Sequence, residues 1–273
     1  DGFSEIDTSD VIVAVIDSGV DIDHPAFEGR IVKPYNAVDG STDVTDKKKH
    51  GTHVAGIIAG AEGLHPDAGG VAPQLKIMPI KVAGLIGPNQ GAIADGIRYA
   101  VDNGAKVINM SLSSTFGNKD IEAAVKYAYE KGVVIISTSG NTGDGNGVRF
   151  PARMDQEVLA VGSAHEGELS DFTTRGPELD ILAPGEKITS SIPGGKYKAY
   201  NGTSMAAPYV AATAALVVAR HPDWTVEQVY DHLKSASQDI GKPGWDKDTG
   251  FGQLDLFQAV YGENLPKVEK PQK

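Results

Sequence analysis

Short apolar runs rich in Val and Ile recur at residues 11–16, 75–82, 106–112, 133–138 and 158–161. Their length suits strands, and their lack of polar alternation suits strands covered on both faces. Between them, residues 53–61, 90–103 and 118–131 follow a helical period, with Gly104 and Gly132 where helices stop. An Ala-rich stretch at 205–220 predicts one more helix. Strand and helix alternating in this way predict an α/β fold: three layers, a mainly parallel sheet with helices on both faces and right-handed crossovers. In such sheets, sites form where strands end, so the polar residues that close each strand come first as candidates.

Those ends are polar and glycine-rich. The first run closes on Asp17-Ser18-Gly19, the third enters Ser111-Leu112-Ser113, and the fourth enters Ser139-Gly140-Asn141. His53 opens a helical pattern in His50-Gly51-Thr52-His53, and Ser204 opens the Ala-rich helix after Asn201-Gly202-Thr203. Hydrolysis of an amide through serine needs a hydroxyl, an imidazole, a carboxylate and donors for an oxyanion. Asp17, His53 and Ser204 supply the first three. The Ser204 N–H at a helix start and the Asn141 side chain supply the donors. Glycines at 51, 56, 140 and 202 let backbone approach backbone or substrate. Taken singly, these residues are an ordinary turn, loop and helix cap; their combination carries the reading.

Composition narrows the alternatives. The chain has 273 residues and a net charge of −11, which disfavours a nucleic-acid partner because phosphate binding draws on Lys and Arg. No apolar run has the ~20 residues of a membrane span. The absence of cysteine excludes disulfides and thiol catalysis. Residues 1–262 read as one catalytic domain. Residues 263–273, with two prolines and three lysines, read as a flexible tail or linker.

Three windows resemble the signatures of the subtilisin family, or subtilases: Val15-Ile16-Asp17-Ser18-Gly19, His50-Gly51-Thr52-His53-Val54-Ala55-Gly56 and Gly202-Thr203-Ser204-Met205-Ala206-Ala207-Pro208. The likeness extends to Ile108 through Leu112, Ser139 through Asn141 and Phe172 through Pro177. The resemblance implies a serine endopeptidase acting through an acyl-enzyme on Ser204, with His53 as base, Asp17 orienting it and Asn141 on the oxyanion. It further implies that an extended peptide or protein substrate pairs with Ser111-Leu112-Ser113 and with the segment near Gly87 and Pro88. The P1 pocket is expected between 111–113 and Ser139-Gly140. Arg149 stands where familiar members carry a small residue at the pocket base, so it is expected either to narrow the pocket or to favour an acidic P1 residue. Gly91-Ala92 predicts an open S4 side, and Tyr209, which replaces the usual histidine, reads as packing.

No cofactor is expected for the chemistry. Structural calcium is a possibility from the resemblance, with Glu62 and Asp67 as candidate oxygen donors and a solvated turn as the plainer reading. Asp246-Lys247-Asp248 fails as an EF-hand because Phe257 occupies the closing acidic position, and His50/His53 lack the Glu of a zincin. An α/β-hydrolase esterase is opposed by the order Asp, His, Ser. A peptide-binding pseudoprotease and a nucleotide-binding module using 143–147 are further alternatives. The resemblance also implies a secreted or cell-envelope enzyme, the alternative being cytoplasmic, made as a zymogen with an N-terminal propeptide and monomeric as a catalytic domain. Asp1-Gly2-Phe3-Ser4-Glu5 lacks a basic start and an apolar run, so a leader is expected only in a longer precursor.

Overall fold

A computed structural model describes residues 3–84 and 88–270. The apolar runs form β1 (Ile12–Asp17), β3 (Lys76–Lys81), β4 (Val107–Met110), β5 (Val134–Thr138) and β6 (Leu159–His165), with β2 (Tyr35–Asn36) between the first two. β7 (Glu168–Leu169), β8 (Ile181–Pro184), β9 (Ile188–Ile192), β10 (Lys196–Tyr200), β11 (Ser237–Gln238) and β12 (Gln253–Leu254) follow. The helices are α1 (His50–Ala59), α2 (Gln90–Asp102), α3 (Lys119–Glu130), α4 (Thr203–Arg220), α5 (Val226–Ser235) and α6 (Leu256–Tyr261).

The main sheet runs β11-β12-β8-β6-β5-β4-β1-β3-β2, with β7 paired to β6. Its central pairs are parallel: Asp17 lies beside Lys81 of β3, and Val15 beside Asn109 of β4. β7 and β11 pair antiparallel to their neighbours. β9 and β10 form a separate hairpin. Because side chains alternate across a strand, β1 feeds two cores. Val13 and Val15 join the core under α1, α4 and α5, while Ala14 and Ile16 join the core under α2 and α3. The expected three-layer α/β class is thus the observed one, in agreement with the solved structures described below.

Two expectations are corrected. The helix expected at 53–61 begins at His50 and ends at Ala59, because its start is capped from outside the helix, as shown below. The tail expected to stay free packs back as far as residue 270. Leu265 and Val268 lie against the larger core, and Lys270 Nζ reaches Asp180 Oδ1 at 3.1 Å and also pairs with Asp155. Asp180 is 1% exposed and accepts from Ala160 N at 2.8 Å, and Lys234 stands 3.6 Å from it. A carboxylate this deeply buried needs positive charge nearby, and a tail lysine supplies part of it.

Candidate active site

β1, β4 and β5 end on the same rim of the sheet: Asp17 is the last residue of β1, and the loops leaving β4 and β5 carry Ser111 and Asn141. α1 approaches that rim with its first turn. A Cβ at Gly51 would lie 2.1 Å from Gly19 O and 3.1 Å from Asp17 Cβ, so only glycine permits this approach. The consequence is an imidazole against a carboxylate. His50 Nδ1 lies 2.8 Å from Asp17 Oδ1 and 3.0 Å from Oδ2, and Asp17, 5% exposed, also accepts from Ser18 N at 2.7 Å. Burial opposes the charged imidazole, but the facing Asp17 carboxylate and, behind it, Asp46 outweigh that, so His50 titrates above the usual histidine range.

The histidine at Asp17 is therefore His50, and the assignment of His53 to that place is wrong. His53 is wholly buried inside α1, with Nε2 2.9 Å from Lys198 O and 3.0 Å from Ile188 O and its ring stacked on Tyr200 at 4.5 Å. An Nε2–H committed to two carbonyls cannot accept a serine proton. Burial depresses the pKa of His53 to about 4 despite those carbonyls, which keeps the ring neutral. Its task is to hold the β9–β10 hairpin onto α1. A signal for this was present: His53 begins the unbroken apolar half of the helix, whereas His50 follows Lys47-Lys48-Lys49 at the polar end.

Ser204 sits in the first turn of α4, where its N–H has no intrahelical acceptor. Four residues on, Pro208 lacks the N–H that would bond Ser204 O. Ser111 Oγ takes that carbonyl instead at 2.9 Å, itself accepting from Asn109 Nδ2 at 3.0 Å, while Ser204 Oγ donates to Ser111 O at 3.2 Å. Ser111 thus fixes Ser204 from both sides, and it lines the same apolar cleft of about 250 Å³ as Asp17 and His50.

Asn141 comes from the loop after β5. Its Oδ1 accepts from Thr203 N at 2.8 Å and Thr203 Oγ1 at 2.7 Å, which leaves Nδ2 free to donate elsewhere. A Cβ at Gly202 would lie 3.7 Å from Asn141 Nδ2 and 3.7 Å from Ser204 N. The glycine keeps open a small space bordered by two N–H donors, which is what an oxyanion needs.

The remaining predicted residues lie around this centre. Leu112 and Pro88 border the cleft beside His50 and also a second, apolar pocket of about 200 Å³, while Ser113 is exposed at the edge of that pocket. Gly87 lies outside the described residues. Ser139 is wholly buried, and its carbonyl accepts from Arg149 N at 2.9 Å. The stem of Arg149 packs on Gly140, where an added Cβ would meet Arg149 Cγ at 2.6 Å. The guanidinium turns to Asp144 Oδ2 at 3.0 Å and Thr142 Oγ1 at 2.9 Å. Ile93, Leu112, Ile121 and Phe150 line the pocket of about 200 Å³, and Phe116, 77% exposed, borders it as well. Tyr209 is half-buried against the larger core, as expected of a packing residue.

For metal, Glu62 and Asp67 are both exposed, and Asp67 N donates to His65 Nδ1 within the same turn. Among the described residues, no group of three or more His, Asp or Glu side chains is placed to hold an ion.

An imidazole–carboxylate pair, a helix-opening serine and two N–H donors thus lie along the rim of a parallel sheet. The subtilase family profile matches residues 8–252, and the chain belongs to that family. It is 40% identical over 248 residues to Subtilisin E of Bacillus subtilis (strain 168), covering 85% of this chain and 62% of that one. To the subtilisin of Bacillus pumilus it is also 40% identical over 248 residues, covering 85% of this chain and 86% of that one. Among solved structures, a lanthipeptide protease superposes with a TM-score of 0.81 at 30% identity, covering 92% of this chain and 87% of the other. The S41 psychrophilic protease superposes with a TM-score of 0.83 at 32% identity, covering 89% and 90%. The chain therefore spans less than two thirds of Subtilisin E. Among the described residues no helix is long and apolar enough to cross a membrane.

Proposed function

We propose that the chain is a serine endopeptidase that acylates Ser204, with His50 as general base, Asp17 orienting it, and Ser204 N–H and Asn141 Nδ2 as oxyanion donors. The observation that carries this reading is the His50–Asp17 contact on a cleft lined by Ser111, which is hydrogen-bonded in both directions to the helix-opening Ser204. Asp17 holds the proton on Nδ1 and so leaves Nε2 as the acceptor. The Ser204 hydroxyl turns from Ser111 O to His50 as it attacks the scissile carbonyl. The electron pair of that carbonyl moves onto oxygen between the two donors, and His50 hands its proton to the leaving amine. Water then repeats the sequence and releases the acyl group. The test is cleavage of a casein or peptide substrate that phenylmethylsulfonyl fluoride blocks and Ser204→Ala lacks. A folded wild-type chain that binds peptides without cutting them returns the pseudoprotease.

Because His50 must be neutral to act and titrates above 6.5, kcat/KM is expected to fall as pH drops, with an acid-limb midpoint above 6.5. A midpoint well below that value contradicts the Asp17–His50 assignment.

Substrate is read as an extended peptide pairing with Ser111-Leu112-Ser113 by main-chain bonds, an apolar side chain entering the pocket of Ile93, Leu112 and Phe116. Arg149 narrows the P1 side with its stem. An acidic P1 residue has to compete with Asp144 for the guanidinium, so narrowing is the effect we favour. Arg149→Gly is expected to raise kcat/KM for P1 Phe about tenfold or more relative to P1 Ala, the worth of a few buried methylenes. Equal ratios in both enzymes, measured on a P1-varied peptide series, remove Arg149 from the pocket. Secretion as a zymogen, with a propeptide assisting a parallel sheet of long-range pairings, belongs to the same reading and rests on the family relationship. A monomeric catalytic domain is proposed on the same ground, and structural calcium is left to a melting comparison with and without chelator.

A further inference from the structure

α1 lacks an ordinary cap. Its N-cap residue, Lys49, has φ of 65° and no side-chain bond to the helix. The first-turn N–H groups are met from elsewhere: Gly51 N donates to Ser18 Oγ at 3.0 Å, and Thr52 N donates to Asp46 Oδ2 at 2.9 Å. Asp46 is 5% exposed and heavily hydrogen-bonded. Its Oδ1 accepts from Ser18 Oγ at 2.8 Å, Lys48 N at 3.0 Å and Lys49 N at 2.9 Å, and its Oδ2 also accepts from Thr52 Oγ1 at 2.6 Å. Ser18 adjoins Asp17 and donates its own N–H to Asp17 Oδ1. One carboxylate therefore grips the strand end that presents Asp17 and the helix start that presents His50.

We infer that Asp46, through the bridging hydroxyl of Ser18, is a positioning residue that sets the Asp17–His50 pair in register and holds it there during turnover. The inference rests on the serine-peptidase reading and deepens it. Three features support it beyond a helix cap. The bonds converge from β1, the loop and α1 on one buried carboxylate. The left-handed backbone at Lys49, strained for a residue other than glycine, is held by the bond from its N–H to Asp46. The negative charge also acts on His50, whose surroundings include the ionisable groups Asp17 from β1, Asp46 and Lys48 from the loop, and His53 one turn further along α1.

Positioning of this kind is worth about 10-fold to 100-fold when a catalytic group is displaced by an ångström or less. Asp46→Asn is expected to lower kcat about 10-fold or more with KM changed less than twofold, because the substrate cleft does not include Asp46. It is also expected to lower the titration midpoint of His50, since a nearby negative charge is lost. Ser18→Ala keeps that charge but removes the bridge together with the acceptor of Gly51 N–H, so kcat falls while the midpoint moves little. The midpoint is read by NMR of the imidazole resonances in a Ser204→Ala background, with His50→Gln identifying the signal, so it needs no activity. An unchanged kcat, or an unchanged His50 midpoint, in folded Asp46→Asn overturns the inference, whatever happens to its melting temperature. Absence of hydrolysis by the wild-type chain is instead a failure of the peptidase reading, and the NMR comparison then decides alone.

Discussion

Replacing His50 by alanine is expected to remove hydrolysis almost completely while leaving the fold intact, whereas replacing His53 by alanine is expected to weaken the fold. The size of the first effect, about 10⁶-fold in kcat, is carried over from subtilisin itself, the reference case for this triad, rather than derived from these distances. His50 is half-exposed at the end of a helix, so its loss costs little packing. His53 is buried, stacked on Tyr200 and bonded to two hairpin carbonyls, so its loss leaves a cavity and two unpaired acceptors, worth roughly 3–5 kcal/mol. Kinetics and thermal unfolding of both variants separate the roles. Inactivity of a fully stable His53→Ala, with His50→Ala active, would restore the reading made from sequence. The pH dependence has a definite sign. A histidine held neutral when folded, with its pKa lowered from 6.5 to about 4, contributes stability that is complete above pH 6.5 and is lost as pH falls toward 4. His53→Ala should therefore flatten the acid side of the wild-type stability curve.

Asn141→Ala is expected to lower kcat by about 10²–10³ with little change in KM, again a magnitude established on subtilisin. The geometry supplies the reason for the kcat effect. Thr203 occupies Oδ1 twice, so the amide presents Nδ2 to the space kept open by Gly202, where charge develops only after attack. Asn141→Asp is the sharper control, because it keeps the Thr203 acceptor but puts a negative charge where a donor is needed. It should be no more active than the alanine variant. A rise in KM with unchanged kcat for either variant would make Asn141 a substrate-binding residue and leave the oxyanion to other donors.

Much of this protein is readable from short windows. The Val/Ile runs at 11–16 and 133–138 are strands because they are apolar, β-branched and short, and their closing residues, Asp17 and Asn141, fall on the rim because strand ends in parallel sheets do. Ser204 is legible for a similar reason: glycine before it and an alanine-rich run after it mark a helix start. These are local facts, set by backbone periodicity and side-chain size.

What could not be read depends on partners distant in the chain. His50 and His53 lie three residues apart in one helix, and the choice between them is made by Asp17 on one side and by the carbonyls of Ile188 and Lys198 on the other. The tail after residue 262 looks like a linker until Asp180, a buried carboxylate, claims Lys270. Phe116 borders a pocket together with Ile93 and Phe150, residues far from it in the chain. By itself the sequence determined the layers, the strand ends and the set of chemical groups available, because propensity and pattern act over a few residues. The tertiary structure alone decided which histidine meets the carboxylate, where the arginine points and what covers the buried charge, because hydrogen-bond geometry and desolvation depend on which residues are adjacent in space.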